Sequence, residues 1–252
     1  GDICDKATVR KSIQGIDNVI HLAAIASVPR SVEKPEETNR VNAGGTVNLL
    51  FESSRAEVEK FIYASSSAVY GNLPVLPKRE SSPLAPISPY ASTKLAGEHF
   101  CSLFEHNFGL KTLSFRYFNI YGPKQDPQSE YAAVIPKFME LMKNEKRPTI
   151  FGDGRQTRDF TYVKDAIKAN KLALESKATG AFNIANGEEK SLNELVEILN
   201  AILGKRLSPI YESVRAGDIK HSFADISKAR KAISYKPEWS LEKGLSDMQK
   251  ER

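Results

Sequence analysis

Short apolar runs alternate with helix-spaced segments along the first half of this sequence, and the alternation predicts an α/β fold, a doubly wound parallel sheet. The runs are Val19 to Ala24, Lys60 to Ala64 and Lys111 to Phe118. The stretches between them are long enough for the crossover helices that parallel strands require. The second half is more mixed, which predicts a smaller α/β unit. Gly122-Pro123 marks the boundary, because a strand ends there and turn residues follow. The expected division is therefore 1–121 and 122–252.

Each element has a local reason. The helix over 35–54 rests on Val41, Val47, Leu50 and Phe51 at helical intervals, and Gly44-Gly45 lies inside that pattern. Ser88 is an N-cap with Pro89 at the first helical position. The helix it opens carries Leu95, Phe100, Leu103 and Phe104 and stops near Gly109. Further on, 131–142 and 165–174 read as helices, and 149–151, 159–163 and 181–185 as strands. Ser191-Leu192-Asn193-Glu194 is a capping box ahead of Leu195, Val196, Leu199, Ile202 and Leu203. Helices are expected after Asp225 and Ser240.

Composition narrows the function classes. Charged residues make up 27% and hydrophobic residues 40%, as in a soluble globular chain, so disorder and coiled coil are excluded. No run approaches the ~18 apolar residues of a membrane span. The net charge is +5, but the lysines are spread along the whole chain, which reads as solvated surface and not as a nucleic-acid patch. Two cysteines, Cys4 and Cys101, make no disulfide framework and fit a reducing, cytoplasmic setting. His21, His99, His106 and His221 show no metal-ligand spacing, so no metal is expected.

The chemistry gathers around Tyr90-Ala91-Ser92-Thr93-Lys94. Tyrosine and lysine at i and i+4 share one helix face. A nearby ammonium favours the phenolate, which brings a group of ordinary pKa about 10 towards use as a base. Upstream, Tyr63-Ala64-Ser65-Ser66-Ser67-Ala68-Val69-Tyr70-Gly71 puts small hydroxyl residues directly after a buried strand. Downstream, Phe115-Arg116-Tyr117-Phe118-Asn119-Ile120-Tyr121-Gly122-Pro123 is a second strand ending in polar groups. Open α/β sheets bind ligands beyond such carboxyl ends.

Together these motifs resemble the extended short-chain dehydrogenase/reductase family, in particular its nucleotide-sugar 4-epimerases acting on UDP-glucose or UDP-N-acetylglucosamine. The resemblance runs through Gly1-Asp2-Ile3, His21-Leu22-Ala23-Ala24, Asn42 with Gly45-Thr46, Phe151-Gly152-Asp153-Gly154, Arg158-Asp159-Phe160 and Arg215-Ala216-Gly217-Asp218. It implies a Rossmann-like domain over 1–121 that binds NAD, and a mainly UDP-sugar-binding domain over 122–252, with segments such as 158–185 packing back on the first. Tyr90 matches the catalytic base and Lys94 the lysine that holds the cofactor ribose. Ser66, with Ser67 beside it, matches the serine that bonds the reacting hydroxyl. Asp2 and Ile3 match the adenine contacts, Leu22, Ala23 and Ala24 the backbone beside the cofactor, and Tyr117 a further cofactor contact. Asn119, Arg158, Arg215 and Asp218 match contacts to the nucleotide-sugar. Arginine suits a diphosphate because its planar fork donates two parallel hydrogen bonds.

Three features refine the expected substrate. Ser65-Ser66-Ser67 stands where dehydratases of the family carry Thr-Asp-Glu, which disfavours elimination of water. Ala26-Ser27-Val28-Pro29-Arg30-Ser31 and 131–137 look like the branch that handles UDP-N-acetylhexosamines. Ser222 resembles the hexose-pocket gatekeeper, and a small side chain there leaves room for an acetamido group. The implied reaction is transient oxidation at C4 to a 4-keto sugar, with Tyr90 taking and returning the proton. The resemblance also implies a homodimer built on the helices near 38–54 and 89–107. The alternative is another NAD-dependent nucleotide-sugar enzyme of the same family (a dehydratase, decarboxylase or reductase) or a catalytically incomplete fragment. The family opens with a strand, a glycine-rich turn and a helix that hold the cofactor pyrophosphate. None of these is in the sequence, so it reads as N-terminally truncated, and weak or absent cofactor binding is expected.

Overall fold

The computed structural model describes residues 1–128, 133–214 and 220–250. The elements run α1 (Lys6–Ile13), β1 (Asn18–His21), α2 (Val28–Glu33), α3 (Pro35–Asn39), α4 (Gly45–Arg55) and β2 (Lys60–Ser66). Then come α5 (Pro89–Phe108), β3 (Lys111–Tyr117), β4 (Ile120–Tyr121), α6 (Val134–Lys143), β5 (Thr149–Phe151), β6 (Thr157–Arg158), β7 (Thr161–Tyr162) and α7 (Val163–Glu175). The chain closes with β8 (Gly180–Ile184), β9 (Lys190–Ser191), α8 (Leu192–Leu203), β10 (Ile210–Glu212), β11 (His221–Ser222), α9 (Ser227–Ile233) and α10 (Leu241–Lys250).

The main sheet is parallel throughout, in the order β1-β2-β3-β8. The fold is thus the α/β, Rossmann-like class that the alternation predicts. Its strand β2 is apolar on both faces over Phe61 to Tyr63 because both are covered. On one face Phe61 and Tyr63 of β2 pack with Leu50 of α4, Cys101 and Phe104 of α5, and Val9 and Ile13 of α1. On the other, Ile62, Leu113, Phe115 and Phe182 meet Ala169 and Ala173 of α7 and Ala229 and Ile233 of α9. A further core lies apart from the sheet and joins α6, α8 and α10 around Phe138, Met139, Leu195, Leu199, Leu245 and Met248.

Local signals set most boundaries. The Ser88 hydroxyl accepts from the Ala91 N–H, Pro89 follows, and Gly109 ends α5 at φ 72°. Ser191 and Glu194 form the reciprocal capping box of α8. Lys60 reaches across from β2 to cap the carboxyl end of α7, donating to the carbonyls of Ala173 (2.8 Å) and Leu174 (3.0 Å).

Several boundaries differ from the sequence reading. The run from Val19 leaves the sheet after His21, and Leu22 is 63% exposed. The helix over 35–54 is continuous but carries a π-turn at Arg40–Gly44, between α3 and α4. The helix expected from 131 begins at Val134, and Tyr131 lies outside the described residues. Two short helices, α1 and α2, have no counterpart in the sequence reading; each is capped locally, by Asp5 and Ser27.

Gly97 is the tightest point between α5 and the sheet. A Cβ there would overlap the phenol of Tyr63. Gly97→Ala should therefore lower stability in urea titrations by about 1–3 kcal/mol through overpacking, although alanine favours an isolated helix by about 1 kcal/mol.

Candidate active site

Helix α5 crosses the carboxyl end of β2 with Tyr90, Lys94 and Glu98 at successive turns. The Lys94 ammonium is buried and donates to the carbonyl of Ala64 at 2.7 Å. It lies 5.1 Å from the centre of the Tyr63 ring and 5.9 Å from that of Tyr90. The Ser66 hydroxyl stands beside the Tyr90 phenol and accepts from the Ala68 N–H at 3.2 Å. Ser67 follows at the first position of a 3-10 turn, Ser67–Tyr70. The structure thus brings Tyr90, Lys94, Ser66 and Ser67 to one end of one strand.

Burial sets the electrostatics here. It lowers Lys94 to about 8, because the charged form loses its hydration. It raises Tyr90 above the ordinary phenol value, and the neighbouring Ser66 hydroxyl offsets part of that rise. The pairing with Lys94 led to the opposite expectation, a depressed phenol. Burial prevails because the ammonium is turned to the Ala64 carbonyl and stands off the ring.

Beside Lys94 runs a buried polar chain. Asn42, in the π-turn, clasps the backbone of Ile25 by accepting from its N–H (2.8 Å) and donating to its carbonyl (3.1 Å). The same amide donates to Thr93 at 3.1 Å. Thr46 donates to the Asn42 carbonyl, so its oxygen must accept from His21 Nε2, 2.9 Å away. His21 therefore carries its hydrogen on Nε2. This clasp holds the strand exit Leu22-Ala23-Ala24, where Leu22 and Ala23 are exposed. Asp2 accepts from the Cys4 N–H at 2.9 Å, and Asn48 of α4 donates to the Ile3 carbonyl at 3.2 Å.

A cleft of about 620 Å³ opens on the far side of Asn119. Its walls include Arg158, Gln156, Lys137, Phe151 and Phe160. Asn119 sits two residues beyond Tyr117, which pairs with Ser66 in the sheet. It adopts a left-handed backbone, φ 37°, and donates to the Asp159 carbonyl at 2.9 Å. Asp159 is fully buried and its carboxylate accepts from the N–H groups of Asn186 (2.8 Å), Gly187 (3.0 Å) and Ala224 (3.2 Å). Burial raises it to about 7, against the pull of those three donors. Ser222 pairs with Arg158 across β11 and β6 and is buried beside the same seam. Tyr117 turns elsewhere: its phenol accepts from Asn170 of α7 at 2.8 Å. Arg215 and Asp218 lie outside the described residues.

The sequence matches the family described as GDP-mannose 4,6 dehydratase over residues 1–248. The chain belongs to this family of NAD-dependent epimerases and dehydratases. Over 246 residues it is 40% identical to a putative UDP-glucose 4-epimerase of Methanocaldococcus jannaschii, covering 97% of this chain and 80% of that one. A UDP-N-acetylglucosamine 4-epimerase of Methanobrevibacter ruminantium, solved with UDP-N-acetylmuramic acid, superposes with a TM-score of 0.96 at 43% identity, over 99% of this chain and 80% of that one. The Thermus thermophilus UDP-glucose 4-epimerase, solved with NAD, has a TM-score of 0.89 at 34% identity, over 98% and 82%. dTDP-glucose 4,6-dehydratases are also among the family members that match.

The residues present fit the nicotinamide-ribose half of NAD. Lys94 offers a buried ammonium, and the exposed small residues after β1 leave backbone open beside it. Among the described residues no glycine-rich strand–turn–helix stands ready for the pyrophosphate. Nor do the described residues include a cluster of three or more His, Cys, Asp or Glu able to hold a metal ion, or a helix long and apolar enough to cross a membrane.

Sequence reasoning missed the Asn42–Thr46–His21 chain and the buried Glu98–Arg116 pair. The spacing Tyr90, Lys94, Glu98 was the available signal for the second. His21 supplies a pH test. Burial, helped by the Lys94 charge, lowers it to about 4, so below pH 6.5 the unfolded chain binds a proton that the folded chain refuses. Stability is then lost as pH falls towards 4. Asp159 acts in the opposite sense over this range, so the effect is read by difference. Between pH 7 and 4.5 the wild type should lose about 2–3 kcal/mol more than His21→Gln in urea titrations.

Proposed function

We propose that this chain carries the catalytic and substrate-binding residues of a UDP-sugar 4-epimerase that accepts N-acetylated hexosamines. The convergence of Tyr90, Lys94 and Ser66 at the end of β2 is the observation that carries this reading. In it, the Tyr90 Oη takes the proton from the sugar 4-hydroxyl and later returns it. Ser66, with Ser67, orients that hydroxyl, and Lys94 holds the cofactor ribose and stabilises the phenolate. NAD, when bound, supplies the hydride acceptor and donor at C4. Leu22, Ala23 and Ala24 line its path and Asp2 and Ile3 meet the adenine; Tyr117, turned to Asn170, takes no part. Asn119 and Arg158 anchor the nucleotide-sugar from the cleft, with Arg215 and Asp218 assigned to the same task.

The division into 1–121 and 122–252 follows from this reading: the first part holds the proton-transfer groups, and the second supplies most of the cleft. A homodimer in the cytoplasm is part of the proposal. It is supported by the exposed Phe51 on α4 and the exposed Leu103 and Phe108 on α5, and by two free cysteines. Dehydration is the second reading, because dehydratases match too. The strand end argues against it: positions 66 and 67 bear hydroxyls, and the carboxylate that reaches it, Glu98, is bound by Arg116.

With NAD and UDP-N-acetylglucosamine, proton NMR should show the C4 epimer forming and no 4-keto-6-deoxy product. Tyr90→Phe should lower turnover by about 10²- to 10⁴-fold while calorimetry finds UDP-sugar affinity unchanged; near wild-type turnover would sink the assignment. Ser222→Tyr should cost the acetamido substrate about tenfold or more in kcat/KM relative to UDP-glucose, by crowding the 2-substituent.

A further inference from the structure

Three consecutive residues of β2 face α5. Ala64 receives the Lys94 ammonium at its carbonyl and Ser65 donates its hydroxyl to the Glu98 carboxylate, while Ser66 stands beside the Tyr90 phenol. The first and third involve groups already assigned to the chemistry. The middle one does not reach the site. Glu98 is buried between the helix and the sheet, one turn beyond Lys94.

Glu98 is itself held from β3. Arg116 donates from Nε to both carboxylate oxygens (3.0 and 3.2 Å) and from Nη2 at 2.7 Å. Its Nη1 donates to the Tyr70 hydroxyl at 2.9 Å, and Tyr70 donates to Asn183 of β8 at 2.7 Å. Both charged groups are almost completely removed from water. A buried pair of this kind contributes little net stability compared with an apolar replacement, because desolvating two charges offsets their attraction. What it does contribute is direction, since a bidentate fork and a hydroxyl accept little change in distance or angle.

We propose that Glu98, oriented by Arg116, is a positioning residue that sets the register of α5 on β2 and so holds the Tyr90 phenol against Ser66. The inference rests on the epimerase reading for its catalytic consequence. It stands on geometry for the placement of Tyr90. Small displacements of a reacting group cost rate steeply, so loss of the tie should appear in turnover before binding.

The test uses the full chain. Glu98→Gln keeps the shape but breaks the charged fork; it should lower kcat about 10- to 100-fold and leave the KM for the UDP-sugar within about threefold. Replacing the pair together, Glu98→Leu with Arg116→Met, should restore much of any lost thermal stability yet leave kcat low, because Ser65 has lost its acceptor. Recovery of kcat together with stability would show a merely structural role and overturn the proposal. A readout independent of activity separates this from the functional reading. With ¹³Cζ-labelled tyrosine, the Tyr90 resonance, assigned by its loss in Tyr90→Phe, should move in Glu98→Gln and stay in place in Glu105→Gln. If the wild type binds UDP-sugar without turnover, the epimerase reading falls, and the Tyr90 resonance alone decides the placement. A resonance that does not move in Glu98→Gln overturns it.

Discussion

The Lys94 ammonium donates to the Ala64 carbonyl beside the apolar layer that Phe61, Tyr63, Cys101 and Phe104 help to form. A charge buried there is tolerated because the strand end offers a carbonyl to receive it. That contact, with Glu98 below it and Tyr90 above, settles how α5 lies on the sheet. The close approach requires Gly97, whose missing side chain makes room for the Tyr63 phenol. Tyr90, Lys94 and Ser66 are therefore placed by packing between a helix and a strand, and not by a mobile loop. Rigid elements hold reacting groups in place more accurately than loops do.

A second set of buried polar groups joins the sheet to the cleft. Asp159 gathers backbone donors from the end of β8 and from the segment after β11, and its own carbonyl receives Asn119. Its neighbours Arg158 and Ser222 are the residues assigned to phosphate and sugar. One buried carboxylate thus ties together three chain segments beside the cleft. Such a group is stabilising only while all its donors are present, since leaving any one buried and unpaired costs about 1–3 kcal/mol.

The division of labour follows from the two environments. The strand end is small, half-buried and lined by hydroxyls, suited to moving one proton. The cleft mixes aromatic walls with Lys137, Arg158 and Gln156, suited to holding an extended, charged nucleotide. Asn119 belongs to both regions, because the strand that pairs with Ser66 runs straight into it. Its left-handed backbone is the sharp turn by which the chain leaves the sheet and enters the cleft wall.

Where the determinants were local, the sequence by itself was enough. Ser88, Pro89 and Gly109 bound α5, the capping box starts α8, and the alternation of runs implies the parallel sheet. The Tyr90–Lys94 pair was legible because its spacing equals one helical turn, and the ordered motifs were sufficient for the family. Long-range partners were not legible. The π-turn at Asn42 exists to clasp Ile25, 17 positions earlier. Tyr117 faces Asn170, and the donors on Asp159 lie 27 to 65 positions away along the chain. The direction of the Tyr90 shift also escaped the sequence, since spacing reports which groups are near and burial decides which of them keeps its charge. Tertiary structure decided these points because each depends on a contact, or a loss of water, that exists only once the layers have closed.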